Sequence, residues 1–402
     1  MLQIFGRKGI RLTEARIGAR LHVAVLQLQD FRNHAHFALQ LDDRPVCLIG
    51  PNGAGKTNIL EALTLLAPGR GLRGASAEEM ARGGAQGVAA RARAWSVFAQ
   101  LRQGEDRRQI GMGLETVPGL GHKRMARLDG RPASSGELAK AARMAWVIPA
   151  MDRLFAGPPG DRRRFLDRLT LARASEHGAV ASAYERALRE RQRLLGEPRP
   201  DGAWLTGLEQ EMAAHGAALA AARVETLRHL RQAIAARPSA AFPEALLAME
   251  GDLEAAFEAG GVSADIEEDF ARSLRAFRGR DGAAGRAHLG PHRSDLLVRH
   301  GPKDMPASLS STGEQKALLL GIVIAHVRAL SQDPGAGPAL LLLDEAGAHL
   351  DAARREALAM ELLALPGQSW LTGTDASLFE AFDRQAQRFW LNEDGLSQAP
   401  QV

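Results

Sequence analysis

The sequence predicts an α/β fold: a phosphate-loop core of parallel strands and helices, carrying an antiparallel β-subdomain and an inserted α-helical arm domain. Three observations predict it. A complete Gly-x-x-x-x-Gly-Lys-Thr loop, Gly50-Pro51-Asn52-Gly53-Ala54-Gly55-Lys56-Thr57, follows the apolar run Val46-Cys47-Leu48-Ile49. Far along the chain, a second apolar run from Ala339 to Leu343 ends in Asp344-Glu345. Between the two lies a long stretch rich in Ala, Leu, Glu and Arg whose apolar residues fall at helical spacing.

Composition sets the outer limits. At 402 residues and 45% hydrophobic content, the chain can bury enough core for two or three domains. No apolar run reaches the length of a bilayer span, so no membrane association is expected. Cys47 is the only cysteine, which excludes an intramolecular disulfide and fits the reducing cytoplasm. A formal charge of +4 permits a polyanionic partner without requiring one. Residues 1–20 are basic but lack the apolar centre of a secretory signal, and are expected to form a disordered extension.

From Leu21 the pattern becomes strand-like, with His22 to Gln29, a polar break at Asp30-Phe31-Arg32-Asn33, and the alternating His36 to Leu41. Val46 to Ile49 reads as a strand buried on both faces, and Asn58 to Leu63 opens a helix with Ile59, Leu60 and Leu63 on one side. Strand, loop and helix therefore stand in the order that phosphate binding needs. Gly50, Gly53 and Gly55 let the backbone turn tightly, so that its N–H groups and the positive end of the helix converge on phosphate oxygens. Lys56 would neutralise the β- and γ-phosphates, and the Thr57 hydroxyl would ligate Mg²⁺. Gly50, Pro51, Asn52, Gly53, Ala54, Gly55, Lys56, Thr57 and Asn58 are thus the expected ATP-binding positions.

Beyond the first helix, Gly69-Arg70-Gly71-Leu72-Arg73-Gly74 places two guanidinium groups near the loop; they could reach nucleotide or polyanion, or simply face solvent. Short strand-like segments from about Gly87 to Ala145 suggest the antiparallel subdomain. Met144 to Pro149 returns to a buried strand, and Gly157-Pro158-Pro159-Gly160 breaks into a helix whose first turns carry Arg162, Arg163 and Arg164. An exposed cationic face with Asp161 as its cap is the plain reading of that helix. The boundaries expected are an extension over 1–20, a first core part over 21–167, the arm over 168–284 and a second core part over 285–402.

In that second part, Ser311-Thr312-Gly313-Glu314 opens a strongly apolar helix and offers hydroxyl and N–H groups to a phosphate, although such a turn is also an ordinary helix cap. Asp344 would hold Mg²⁺ through water or together with Thr57, and Glu345 would orient or deprotonate an attacking water. Gln368 to Asp375 supplies one more strand with a polar end.

The order of phosphate loop, helical insertion, Ser-x-Gly-Glu turn and acidic strand resembles an ABC-type ATPase head of the SMC-like branch. Within that class, Leu28-Gln29-Asp30-Phe31-Arg32-Asn33, the Gly157 to Asp167 segment and Gly290-Pro291-His292-Arg293-Ser294-Asp295-Leu296 are similar to the RecF family. That resemblance implies weak, Mg²⁺-dependent ATP hydrolysis, a homodimer formed with ATP, binding to double-stranded DNA and gapped single-strand junctions, and work with RecR and RecO to load recombinase at gaps. It places Ser311 and Gly313 on the signature turn facing a second copy's nucleotide, and Asp351 on the loop after the acidic strand. No glutamine stands near Val147 to Asp152, and Met151-Asp152 is not an obvious substitute there; Thr372 or Thr374 stands where a switch histidine would be. A transporter ATPase subunit has no use for an inserted arm, and a kinase or GTPase would place its acidic strand much nearer the loop.

Overall fold

The computed structural model describes residues 19–83, 94–117, 121–236, 242–333, 335–348, 350–392 and 395–398. Most of the N-terminal extension therefore lies outside the described residues. Strands β1 (His22–Phe31) and β2 (His34–Gln40) form a hairpin around the Arg32-Asn33 turn and lead into β3 (Val46–Ile49) and α1 (Lys56–Thr64). Then come β4 (Ser96–Gln103), β5 (Asp106–Val117), β6 (Gly121–Leu128) and β7 (Arg131–Pro132), which complete an antiparallel sheet of order β2-β1-β4-β5-β6-β7. Helix α2 (Ser135–Ala141) and strand β8 (Met144–Val147) precede α3 (Pro159–Arg173).

The middle of the chain holds α4 (His177–Leu195), α5 (Gly202–Ala235), β9 (Ala245–Glu250), α6 (Asp252–Glu258), α7 (Ser263–Ala276) and α8 (Arg278–Ala284). Tyr184, Leu194, Leu205, Met212, Phe270 and Leu274 give the helices a core of their own. The region is not wholly helical. Ala245–Glu250 pairs antiparallel with β10 (Asp295–His300), which continues to β11 (Met305–Pro306), so a three-stranded sheet crosses the expected boundary at 284/285. The far end of α5 also leaves the arm, since Leu227, Leu230 and Ile234 join the main core.

That core is built on the parallel sheet. After α9 (Thr312–Gln332) come β12 (Leu340–Leu343), α10 (Ala352–Leu363), β13 (Ser369–Gly373), β14 (Gln387–Asn392) and β15 (Gly395–Gln398), giving the order β15-β14-β3-β13-β12-β8. Every residue of β3, β12, β13 and β8 is buried, which is why β3, β12 and β8 read as continuous apolar runs. Successive side chains go to opposite faces. Cys47, Ile49, Leu341 and Leu343 meet helices α3, α9 and α10, whereas Val46, Leu48, Leu340 and Leu342 meet α1 and the antiparallel sheet.

Candidate nucleotide site

Strands β3, β13 and β12 are neighbours in that order, so the ends of three segments distant in sequence lie side by side. Open α/β sheets bind ligands at this edge. The loop leaves β3 at Gly50, whose N–H donates to Gly373 O at 3.2 Å. Gly55 has φ 99°, and a Cβ there would fall 2.5 Å from the Asn33 side chain and 2.8 Å from His34. No side chain caps α1 and no acid occupies its first turn, so the N–H groups at its start are left for an anion.

The structure brings Lys56, Thr57, Asp344 and Glu345 together. Lys56 Nζ folds back to donate to Gly50 O at 2.6 Å and Pro51 O at 2.8 Å. Burial holds its ammonium below the ordinary lysine range, while Glu345 and Asp344 pull it upward. Thr57 Oγ1 lies 3.0 Å from each Asp344 carboxylate oxygen. Thr372 Oγ1 donates to Asp344 Oδ1 at 2.7 Å and accepts the Glu345 N–H at 2.9 Å, whereas Thr374 is exposed. Of the two threonines considered for the switch position, Thr372 is the one inside the site. A hydroxyl and a carboxylate at this spacing fit Mg²⁺, which takes one or two protein oxygens and keeps several waters. No group of three His, Cys, Asp or Glu able to hold a metal occurs among the described residues.

The remaining expected positions sit around this group. Ser311 caps α9: its Oγ accepts the Glu314 N–H at 3.4 Å, and the Glu314 carboxylate accepts the Ser311 N–H at 3.0 Å. A hydrogen bond from Lys303 at 2.5 Å holds Glu314 down to about 2. Ser311 is exposed and the space about Gly313 is open, so the turn presents itself to solvent rather than to the loop of its own chain. Asp351 caps α10 by accepting the Arg354 N–H at 2.8 Å. Asn58 donates to Asn33 Oδ1 at 2.7 Å, and Asn33 donates to Ala54 O at 3.3 Å. Arg73 donates to Asn58 Oδ1 at 2.7 Å and pairs at 3.1 Å with buried Glu61, which Arg32 grips with both arms at 2.8 and 2.7 Å. Arg32, Asn33 and Arg73 thus brace the phosphate loop.

The arginine-rich helix differs from its plain reading. Pro158, not Asp161, occupies the cap position of α3, because Pro159 starts the helix and Asp161 falls in the first turn, where it pairs with Arg164. Arg162 holds Asp295 through both carboxylate oxygens at 2.8 and 2.6 Å, and Arg163 donates to Ser294 O at 2.6 Å. Arg223 joins Asp167, Glu254 and Pro291 O at 2.7 to 3.1 Å. Only Arg164 of the three adjacent arginines is exposed. Sequence reasoning also passed over Lys316, which lies buried on α9; a lysine inside an otherwise apolar helix was the available signal.

The family model described as the RecF/RecN/SMC N terminal domain matches residues 22–389. The chain is 46% identical over 382 residues to the DNA replication and repair protein RecF of Rhizobium rhizogenes (strain K84 / ATCC BAA-868), covering 94% of this chain and 99% of that one. It is 47% identical over 371 residues to the protein of the same name from Mesorhizobium japonicum (strain LMG 29417 / CECT 9101 / MAFF 303099), covering 92% and 96%. Its fold is similar to the solved structure of the recombination mediator protein RecF-ATPrS in the RecFOR pathway, with a TM-score of 0.79 at 20% identity over 95% of this chain and 99% of that one. An ABC-type head of the SMC-like class is therefore the fold of this chain.

Proposed function

The chain belongs to the RecF family of DNA replication and repair proteins, and from that premise we propose that it is a weak, DNA-dependent ATPase that dimerises with ATP on double-stranded or gapped DNA. The observation that carries this reading is the meeting of Thr57 with Asp344 at 3.0 Å, beside Lys56 and Glu345, at the ends of β3 and β12. Lys56 exchanges its two loop carbonyls for the β- and γ-phosphates. Thr57 and Asp344 would hold Mg²⁺, which would supply further neutralisation of phosphate charge. Glu345 takes the proton of the attacking water.

One chain does not complete the site. Ser311 and Gly313 are the hydroxyl and N–H groups that close on the nucleotide of a second copy, with Asp351 nearby, so ATP serves chiefly to join two heads. Double-stranded DNA and gapped junctions are the substrates on which the dimer acts, with RecR and RecO as partners in loading recombinase in the cytoplasm. No helix among the described residues is long and apolar enough to cross a membrane.

Sedimentation of wild type, Lys56→Ala and Ser311→Arg, each with and without ATP and a gapped duplex, tests the clamp. Wild type alone is expected to dimerise with ATP and then retain the DNA, with affinity falling as salt rises because phosphate contacts release counterions. Ser311→Arg is expected to keep ATP binding and lose the dimer. A wild type that stays monomeric in ATP, or binds DNA equally without it, overturns the reading.

A further inference from the structure

Two distant segments converge on the main chain of Glu345. The residue has φ 51°, a left-handed conformation that a side chain with a Cβ adopts only when its surroundings impose it. Its N–H is fixed on Thr372 Oγ1 at 2.9 Å. Its carbonyl oxygen accepts hydrogen bonds from Lys316 Nζ at 2.9 Å and, within the turn itself, from the Ala348 N–H at 3.1 Å. Lys316 sits on α9, its side chain 3% exposed, next to the fully enclosed Ala317, Leu318, Leu319 and Leu320. Its carboxylate neighbour is Asp152, 3.7 Å away in the segment after β8, and Asp152 Oδ1 is buried without a hydrogen-bond partner. Burying an ammonium in an apolar helix face is costly unless its hydrogen bonds are used. Here one of them is used on the backbone of the acid beside the phosphate loop.

We propose that Lys316 is a positioning residue for Glu345: it clamps the left-handed turn and so aims the carboxylate, while Asp152 balances its charge. The proposal rests on the reading of Glu345 as the group that activates water. It also gives α9 two tasks. The turn at its start, Ser311 to Gly313, would serve a second copy's nucleotide, and Lys316, just over one helical turn further on, sets the carboxylate of its own site. Engagement of one nucleotide and readiness at the other are then joined by a single helix.

The test compares Lys316→Met, the double variant Lys316→Met/Asp152→Asn, and Glu345→Gln with wild type. Measured are the ATP dissociation constant, ATP-dependent dimerisation by sedimentation, the thermal midpoint and the single-turnover hydrolysis rate with protein in excess. Lys316→Met is expected to bind ATP and dimerise as wild type does while hydrolysing roughly 10²-fold more slowly, the scale of loss for a misplaced catalytic group. The double variant is expected to stay slow, because removing the Asp152 charge does not restore the clamp. Recovery of the rate in the double variant would reduce Lys316 to a counter-ion and overturn the proposal. So would a loss of binding, dimer and rate in step with a lowered thermal midpoint, or an unchanged rate in Lys316→Met. If Glu345→Gln itself hydrolyses at the wild-type rate, the reading of Glu345 fails and the proposal with it; if Glu345→Gln is slow and Lys316→Met is not, only the proposal fails.

Discussion

Glu345→Gln is expected to lower the single-turnover rate of ATP hydrolysis by roughly 10²- to 10⁴-fold, the range for removal of a general base, and to leave the ATP-dependent dimer longer-lived than in wild type. The substitution keeps the size of the side chain and removes only its charge and its capacity to take a proton. The backbone that places it is untouched, because the bonds to Thr372 Oγ1 and from Lys316 Nζ use the Glu345 N–H and carbonyl. Among the described residues no hydrogen bond engages the Glu345 carboxylate, so its loss orphans no partner. Asp344→Asn should behave differently. That carboxylate accepts from Thr57 and Thr372, and an amide would weaken the metal position as well as the contact between two strands. Chelation with EDTA should mimic Asp344→Asn and have little further effect on it. Hydrolysis by Glu345→Gln at the wild-type rate would remove this residue from the chemistry.

The parts of the site that were legible in the sequence are those whose function depends on neighbours along the chain. The loop from Gly50 to Thr57 carries its own geometry, and an apolar strand ending in two acids announces itself because both faces of the strand are buried. Thr372 could not be chosen over Thr374 beforehand, since the choice depends on β13 lying between β3 and β12. Lys316 stood out as a lysine in an apolar helix, but its role was hidden for the same reason: its partners lie after β8 and after β12, far from it in sequence. Strand β9 was hidden differently. Ala245-Leu246-Leu247-Ala248-Met249-Glu250 is made of good helix formers, and only its pairing with β10 overrides that preference. The cationic run at Arg162 and Arg163 looked like surface because the sequence does not show Asp295 and the Ser294 carbonyl waiting opposite.

The arm holds the clearest test of burial against composition. Arg191→Met is expected to destabilise the protein by about 3–5 kcal/mol, the usual cost of breaking a buried ion pair on one side only. Arg191 is completely buried on α4 and uses all three nitrogens: Nε donates to Glu209 at 3.1 Å, one terminal nitrogen to Asp281 at 2.7 Å and the other to Leu274 O at 2.7 Å. Both carboxylates are enclosed as well. Methionine keeps most of the volume but leaves Asp281 with His288 and Glu209 with Arg278, each short of one cationic partner. Two residues along the same helix, Arg193 pairs with Glu190 and Glu197 at the surface, where water screens the charges. The two arginines are alike in type, in helix and in having two acidic partners, so they differ chiefly in burial. Urea unfolding of the two single variants separates these cases: Arg191→Met should move the midpoint strongly downward and Arg193→Met should leave it near wild type. Equal shifts would mean that the Arg191 cluster contributes no more than a surface pair, leaving the apolar contacts of Tyr184, Met212 and Phe270 as the larger contribution at this end of the arm.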